Sequence, residues 1–134
     1  VDFLLIDTQG SLTKEMAQFL FQSSLIITPC RVSRDDIVGQ GWIEVFLKQS
    51  NQNVKKAPIL TVLNGVNKRS SILSHVIEQL KEDGVQVAET CISQRVCFAE
   101  TNVNKISVIG YNKHATKEIV DLTNEALNLI KSEV

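Results

Sequence analysis

Short apolar runs alternate along this chain with stretches of helical apolar spacing, and that alternation constrains its fold more than any other feature. The runs are Phe3-Leu4-Leu5-Ile6, Leu25-Ile26-Ile27-Thr28, residues 58–63 and residues 85–90. An apolar run of this length without polar alternation suits a strand buried on both faces. Between the runs, Leu12, Met16, Phe19 and Leu20 recur at helical spacing, and Ile37, Val38, Trp42, Ile43 and Phe46 are predicted to point inward from a second helix. Ile72, Leu73, Val76, Ile77 and Leu80 form a third stripe, closed by Gly84. Ala115, Ile119, Leu122, Ala126 and Leu129 form a last one within residues 113–131. Ser11, Ser33 and Ser71 stand where N-caps belong, and Asp35 and Asp36 follow Ser33 in the first turn, where the helix dipole favours acid. Pro29 is expected to stop the second run, and the polar stretch 49–56 to fray the second helix. Residues 94–112 read as irregular, with one short helix at 96–100. Strand and helix in this order make parallel βαβ units. The expected fold is α/β, three layers deep, a mostly parallel sheet with helices on both faces.

A length of 134 residues means a single domain, 1–134, and 43% apolar with 22% charged residues is a globular composition. The 14 Lys and Arg against 15 Asp and Glu leave a formal charge of −1, which argues against a surface coated for nucleic acid and still allows a local basic patch. No apolar run approaches the length of a membrane span. The cysteines, Cys30, Cys91 and Cys97, form no Cys-x-x-Cys pair and fit a reducing cytoplasm, Cys91 and Cys97 reading as small buried hydrophobes. His75 and His114 have no companions at metal-ligand spacing. Because the first apolar run opens the chain without a polar lead-in, these residues are expected to be the back part of a longer protein.

Ligands of an open parallel sheet bind beyond the C-terminal ends of its strands. Those ends carry Asp7-Thr8-Gln9-Gly10, then Thr28-Pro29-Cys30-Arg31, then Asn64-Gly65-Val66-Asn67-Lys68-Arg69, then Ser93-Gln94-Arg95. A carboxylate at the tip of an apolar strand, with Gly three residues on, suits nucleotide phosphate chemistry. Asp7 would hold a water of a Mg²⁺ shell, and Gly10 would let a backbone N–H approach a phosphate closely. The alternative reading is that Asp7 only begins a turn. A phosphate-binding Gly-x-x-x-x-Gly-Lys-Ser/Thr loop is not found: Gly65 to Ser71 has no second Gly ahead of its Lys, and Gly39-Gln40-Gly41 lies in a helical pattern without a Lys.

With these residues in order, the chain resembles the ParA/MinD family of deviant Walker-type ATPases, nearest to the plasmid and chromosome partition ParA proteins. Asp2-Phe3-Leu4-Leu5-Ile6-Asp7-Thr8 is similar to the family's Walker B strand, Leu25-Ile26-Ile27-Thr28-Pro29 through Ser33 and Asp36 to its next strand and loop, and Leu63-Asn64 with Thr90 to Glu100 to its late strand ends. The likeness runs through nearly all of the chain. It implies a P-loop NTPase-like fold, incomplete at its N-terminus, whose P-loop strand would lie between residues 3–6 and 25–28. It also implies ATP and Mg²⁺ as cofactors, both needing that front portion, so that these residues alone would be inactive. Asp7 would hold the magnesium-bound water as the Walker B carboxylate, Gly10 would supply switch backbone near the γ-phosphate, and Asn64 would meet the adenine. Gln9-Gly10 stands where many members have Pro-Pro. Asn67-Lys68-Arg69-Ser70 is similar to the guanine-reading Asn-Lys-x-Asp motif, but its Ser cannot accept the paired guanine N–H groups as a carboxylate does, which favours adenine.

The resemblance further implies a homodimer formed on ATP, non-specific DNA binding at the nucleoid, and a centromere-binding ParB-like partner that stimulates hydrolysis, in plasmid or chromosome segregation. Lys68, Arg69, Arg95, Lys105 and Lys113 are the candidates for a basic DNA strip. Asp36 matches a position near the family's dimer face. Two other readings stand beside this one. A MinD-like cell-division regulator would usually end in a basic amphipathic membrane helix, whereas residues 128–134 carry one Lys. A non-catalytic doubly wound interaction domain would have no P-loop at all.

Overall fold

The computed structural model describes residues 2–11, 13–50 and 57–132. Leu12 of the first helical stripe and residues 51–56 of the polar stretch lie outside them. Chain order is α1 (Lys14–Gln22), β1 (Ile26–Cys30), α2 (Arg34–Ser50), β2 (Ile59–Val66), α3 (Ser71–Glu82), β3 (Ile92–Ser93), α4 (Val96–Asn104) and α5 (Lys113–Ser132). The strands form a parallel sheet in the order β1-β2-β3. β1 and β2 pair in register from Ile26 opposite Ile59 to Cys30 opposite Leu63. The α/β reading therefore holds.

Alternation along β2 sorts the helices onto the two faces. Leu60 and Val62 point one way, into a cluster with Ala88, Ile92, Phe98 of α4 and Ile119, Leu122 and Leu129 of α5. Leu63 points the other way and joins Cys30, Leu80 and Cys91, packed by Ile37 of α2 and Leu73, Val76 and Ile77 of α3. A third cluster, Leu20, Ile26 and Leu47, seals α1 against α2. The apolar stripes of α3 and α5 are thus the ones that close the two faces. β1 is covered differently: Ile26, Thr28 and Cys30 are buried, while Ile27 and Pro29 stay exposed on the opposite face.

Several expectations are corrected. Residues 3–6 form no buried strand. They make no ladder with β1, and Phe3, Leu4, Leu5 and Ile6 are 48% to 92% exposed. A run that is apolar on both faces is stable as a strand only with a paired edge and covered faces, and nothing among the described residues supplies either. Pro29 does not stop β1, which continues to Cys30, because an edge strand tolerates a missing N–H. The run at 85–90 is reduced to a bridge between Thr61 and Val87. Its ladder breaks off where the Glu125 carboxylate accepts the amides of Glu89 at 2.7 Å and Thr90 at 3.1 Å. Pairing resumes at β3, with Asn64 opposite Ile92 and Val66 opposite Ser93, so Gly65 is the extra residue of a β-bulge, at φ +67°. α4 runs past residue 100 to Asn104.

Among the described side chains of α2 the buried ones are Gln40 and Leu47, backed by half-buried Ile37 and Ile43, at helical spacing. Val38 and Trp42 lie off that stripe, with Trp42 63% exposed, so both were wrongly expected inward. The caps shift by a residue or two. Thr13 rather than Ser11 caps α1, accepting the Met16 amide, and Ser70 rather than Ser71 occupies the N-cap of α3 without a side-chain bond. Ser33 caps α2 as expected, accepting the Asp36 amide at 3.2 Å. No described helix is long and apolar enough to cross a membrane.

Candidate functional site

One cavity opens at the C-terminal ends of β1 and β2, and another runs along β1 from Leu25 to Pro29. The first, of about 610 Å³, lies between the ends of β1 and β2 and is lined by Arg31, Ser33, Asn67, Ser70 and Gln94 over an apolar floor of Val66, Ile72 and Leu73. The β1–α2 loop is held by the Asp36 carboxylate, which accepts the Arg31 amide at 2.9 Å. That bond gives Asp36 a local role in shaping the turn into α2.

The second cavity, of about 630 Å³, separates residues 6–10 from β1. Asp7, Thr8 and Gly10 form one wall; Pro29, Gln40 and Trp42 belong to the other. Behind that wall a buried polar cluster joins β1, β2 and α2. Thr28 Oγ1 donates to Gln40 Oε1 at 2.7 Å, and Thr61 Oγ1 lies 3.0 Å from Thr28 Oγ1 and 3.1 Å from Gln40 Oε1. Two hydroxyls have two protons, so with Thr28 bonded to Gln40 the Thr61 proton serves one of its two neighbours at a time. A carboxylate at an open cleft suits Mg²⁺, which keeps most of its waters and takes few protein oxygens, and three line this one, Asp7, Asp35 and Asp36. Asp7 would be the residue to hold such an ion, through water. Among the described residues, no group of three or more His, Cys, Asp or Glu could hold a metal outright.

On the far side of the rim, α5 places Glu118 beneath the loops that follow β2 and β3. This carboxylate is 6% exposed. It accepts Lys68 Nζ at 2.8 Å, Arg95 Nη2 at 3.1 Å, Ser93 Oγ at 2.7 Å and the Ser93 amide at 3.0 Å. Burial alone would raise its pKa. The Arg95, Lys68 and Ser93 bonds outweigh burial and bring it from an ordinary 4.5 down to about 2. Arg95 is held through one prong, its Nε buried without a partner among the described residues. Burial pushes the Cys30 and Cys91 thiols up, with the Asp36 charge adding at Cys30, so neither has the character of a nucleophile.

The expected site residues are thus distributed rather than gathered. Asp7 and Gly10 line the second cavity and Asn67 the first. Asn64 sits exposed in the β2–β3 ladder, before the bulge. Lys68 and Arg95 are ion-paired to Glu118, which takes them out of a free basic strip, although Lys68 keeps 52% of its side chain exposed. Arg69 donates its amide to Asn67 Oδ1, Lys105 closes α4 at φ 53°, and Lys113 opens α5. Glu118 and Gln40 were missed. The available signal was a charged or amide residue on an apolar stripe: Glu118 between Ala115 and Leu122, Gln40 between Ile37 and Ile43.

No protein-family model matches the chain, and no curated protein matches it.

Proposed function

We propose that the chain is the C-terminal part of a ParA-like partition ATPase, in which ATP binding drives dimerisation and hydrolysis releases the dimer from DNA. The observation that carries this reading is the cleft between residues 6–10 and β1, with Asp7 and Gly10 on one wall and β1 from Ile26 to Pro29 on the other. The family resemblance expects its P-loop strand in that interval. The open edge of β1 and the exposed apolar run Phe3 to Ile6 are the surfaces such a strand would pair with and cover.

In this reading Asp7 holds a magnesium-bound water, Gly10 brings its backbone to the terminal phosphate, and the base lies toward Asn64 and Asn67 at the end of β2. The ion, when bound, supplies charge neutralisation on the phosphates. What the chain itself would contribute is the position of the carboxylate and the amides, and the transition state of hydrolysis would be stabilised by placement and electrostatics rather than by covalent chemistry. Arg69, Lys105 and Lys113 are the cations left for DNA, few enough that binding would be weak and strongly salt-dependent.

The test uses the full-length protein in sedimentation with Mg·ATP and with Mg·ADP, followed by retention on mixed-sequence DNA at about 50 and about 200 mM salt. Dimers with ATP alone, and retention lost at the higher salt, are expected. A monomer in both nucleotides, or retention indifferent to salt, would overturn the reading.

A further inference from the structure

We propose that Glu118 is the positioning residue of the rim: it clamps the loops after β2 and β3 so that Asn67 and Gln94 face a planar heterocycle at a fixed separation. The ligand class rests on the nucleotide reading above; the clamp itself rests on geometry alone. Lys68 and Arg95 reach Glu118 from those two loops and Ser93 donates twice from the end of β3, while the carboxylate belongs to α5, on the opposite face of the sheet from α3. Lys68 directly follows Asn67, and Arg95 directly follows Gln94, so fixing the two cations fixes the two amides that line the first cavity. The Gln94 backbone N–H donates to the Val66 carbonyl at 2.9 Å and ties the two segments together.

Charge makes the clamp conditional on Glu118. Lys68 and Arg95 share one oxygen, Oε1, and without the carboxylate two like charges would face each other at the rim. Asn67 Oδ1 already accepts the Arg69 amide, so Asn67 offers its N–H groups, while Gln94 brings both a carbonyl and N–H groups. A donor on one loop and a donor–acceptor pair on the other, over the apolar floor of Val66, Ile72 and Leu73, match the edge and face of a base. Base choice would then depend on the distance between the loops, and through it on a residue that touches no ligand.

The full-length protein is compared with its E118Q variant and with K68M, whose replaced side chain is half exposed and whose fold is therefore less at risk. Amide hydrogen exchange is read across the chain, and affinities for ATP and GTP are read with fluorescent analogues. E118Q is expected to speed exchange at residues 64–70 and 92–96 by roughly tenfold or more while β1 and α1 keep wild-type rates. The preference for ATP over GTP should fall by about tenfold, with K68M intermediate in both readouts. Exchange that rises evenly along the chain, or an unchanged base preference in protein with loosened loops, would overturn the positioning role. If the wild type binds neither nucleotide, the ligand assignment falls with the nucleotide reading, and exchange confined to the two loops still upholds the clamp.

Discussion

Replacing Glu118 by Gln removes a charge and keeps the shape, so it isolates what the buried carboxylate contributes to stability. The fall in its pKa from 4.5 to about 2 corresponds to roughly 3 kcal/mol of stabilisation near neutral pH. Removing one member of a buried ion pair commonly costs about 3–5 kcal/mol, and the partial exposure of Lys68 and Arg95 places this case at the lower end. The group is a carboxylate with a depressed folded pKa. Its contribution is therefore complete above about pH 4.5 and is lost as pH falls toward about 2. Urea unfolding followed by far-ultraviolet circular dichroism, at several values between about pH 7 and about pH 2.5, should show a gap of about 3 kcal/mol between wild type and E118Q. The gap should stay nearly constant down to about pH 5 and shrink to roughly a quarter of its neutral value by about pH 2.5. A gap that persists undiminished into acid, or none at neutral pH, would refute the assignment of the stabilisation to the ionised form.

Three further outcomes are expected. Gln40→Leu strips the shared acceptor from Thr28 and Thr61, leaving the two hydroxyls to each other, and should cost about 1–3 kcal/mol in urea unfolding. Leu60→Ala opens a cavity under α4 and α5 at a side chain 1% exposed and should cost about 2–5 kcal/mol. Lys105→Gly relieves a left-handed C-cap at φ 53° and should raise the midpoint of thermal unfolding, with a gain of up to about 1 kcal/mol.

The parts of the fold that were legible are those where one local pattern decides the outcome. The stripes of α3 and α5 name the faces they bury, and the runs at 25–28 and 58–63 become adjacent parallel strands, β2 between its neighbours and β1 at the edge with one face buried. Residues 3–6 carry the same signal and end exposed, since a strand also needs a neighbour to bond, and composition does not say whether one is at hand. The run at 85–90 fails for a different reason: Glu125, 35 or more residues away, takes the amides that a ladder would use. Trp42 misleads because size suggests burial while the stripe of α2 passes through Ile37, Gln40, Ile43 and Leu47. Asp7, Gly10 and Asn67 were singled out from expected strand ends, and of the three Asn67 alone follows a strand, β2. Glu118 was not singled out, because its four donors are brought to it by pairing of β2 with β3 and by the docking of α5. The same pairing accounts for Lys68 and Arg95, which read as surface cations in one dimension and are committed to a carboxylate in three.

The central claim is that Asp7 is the carboxylate of a metal–nucleotide site, and calorimetric titration of the full-length protein with ATP, with and without Mg²⁺, in wild type and Asp7→Asn, tests it most directly. The account predicts saturable binding that Mg²⁺ strengthens by roughly tenfold or more in the wild type, with most of that strengthening gone in the variant while metal-free binding is kept. Binding that Mg²⁺ leaves unchanged in the wild type, or an equal gain from Mg²⁺ in both proteins, would contradict it.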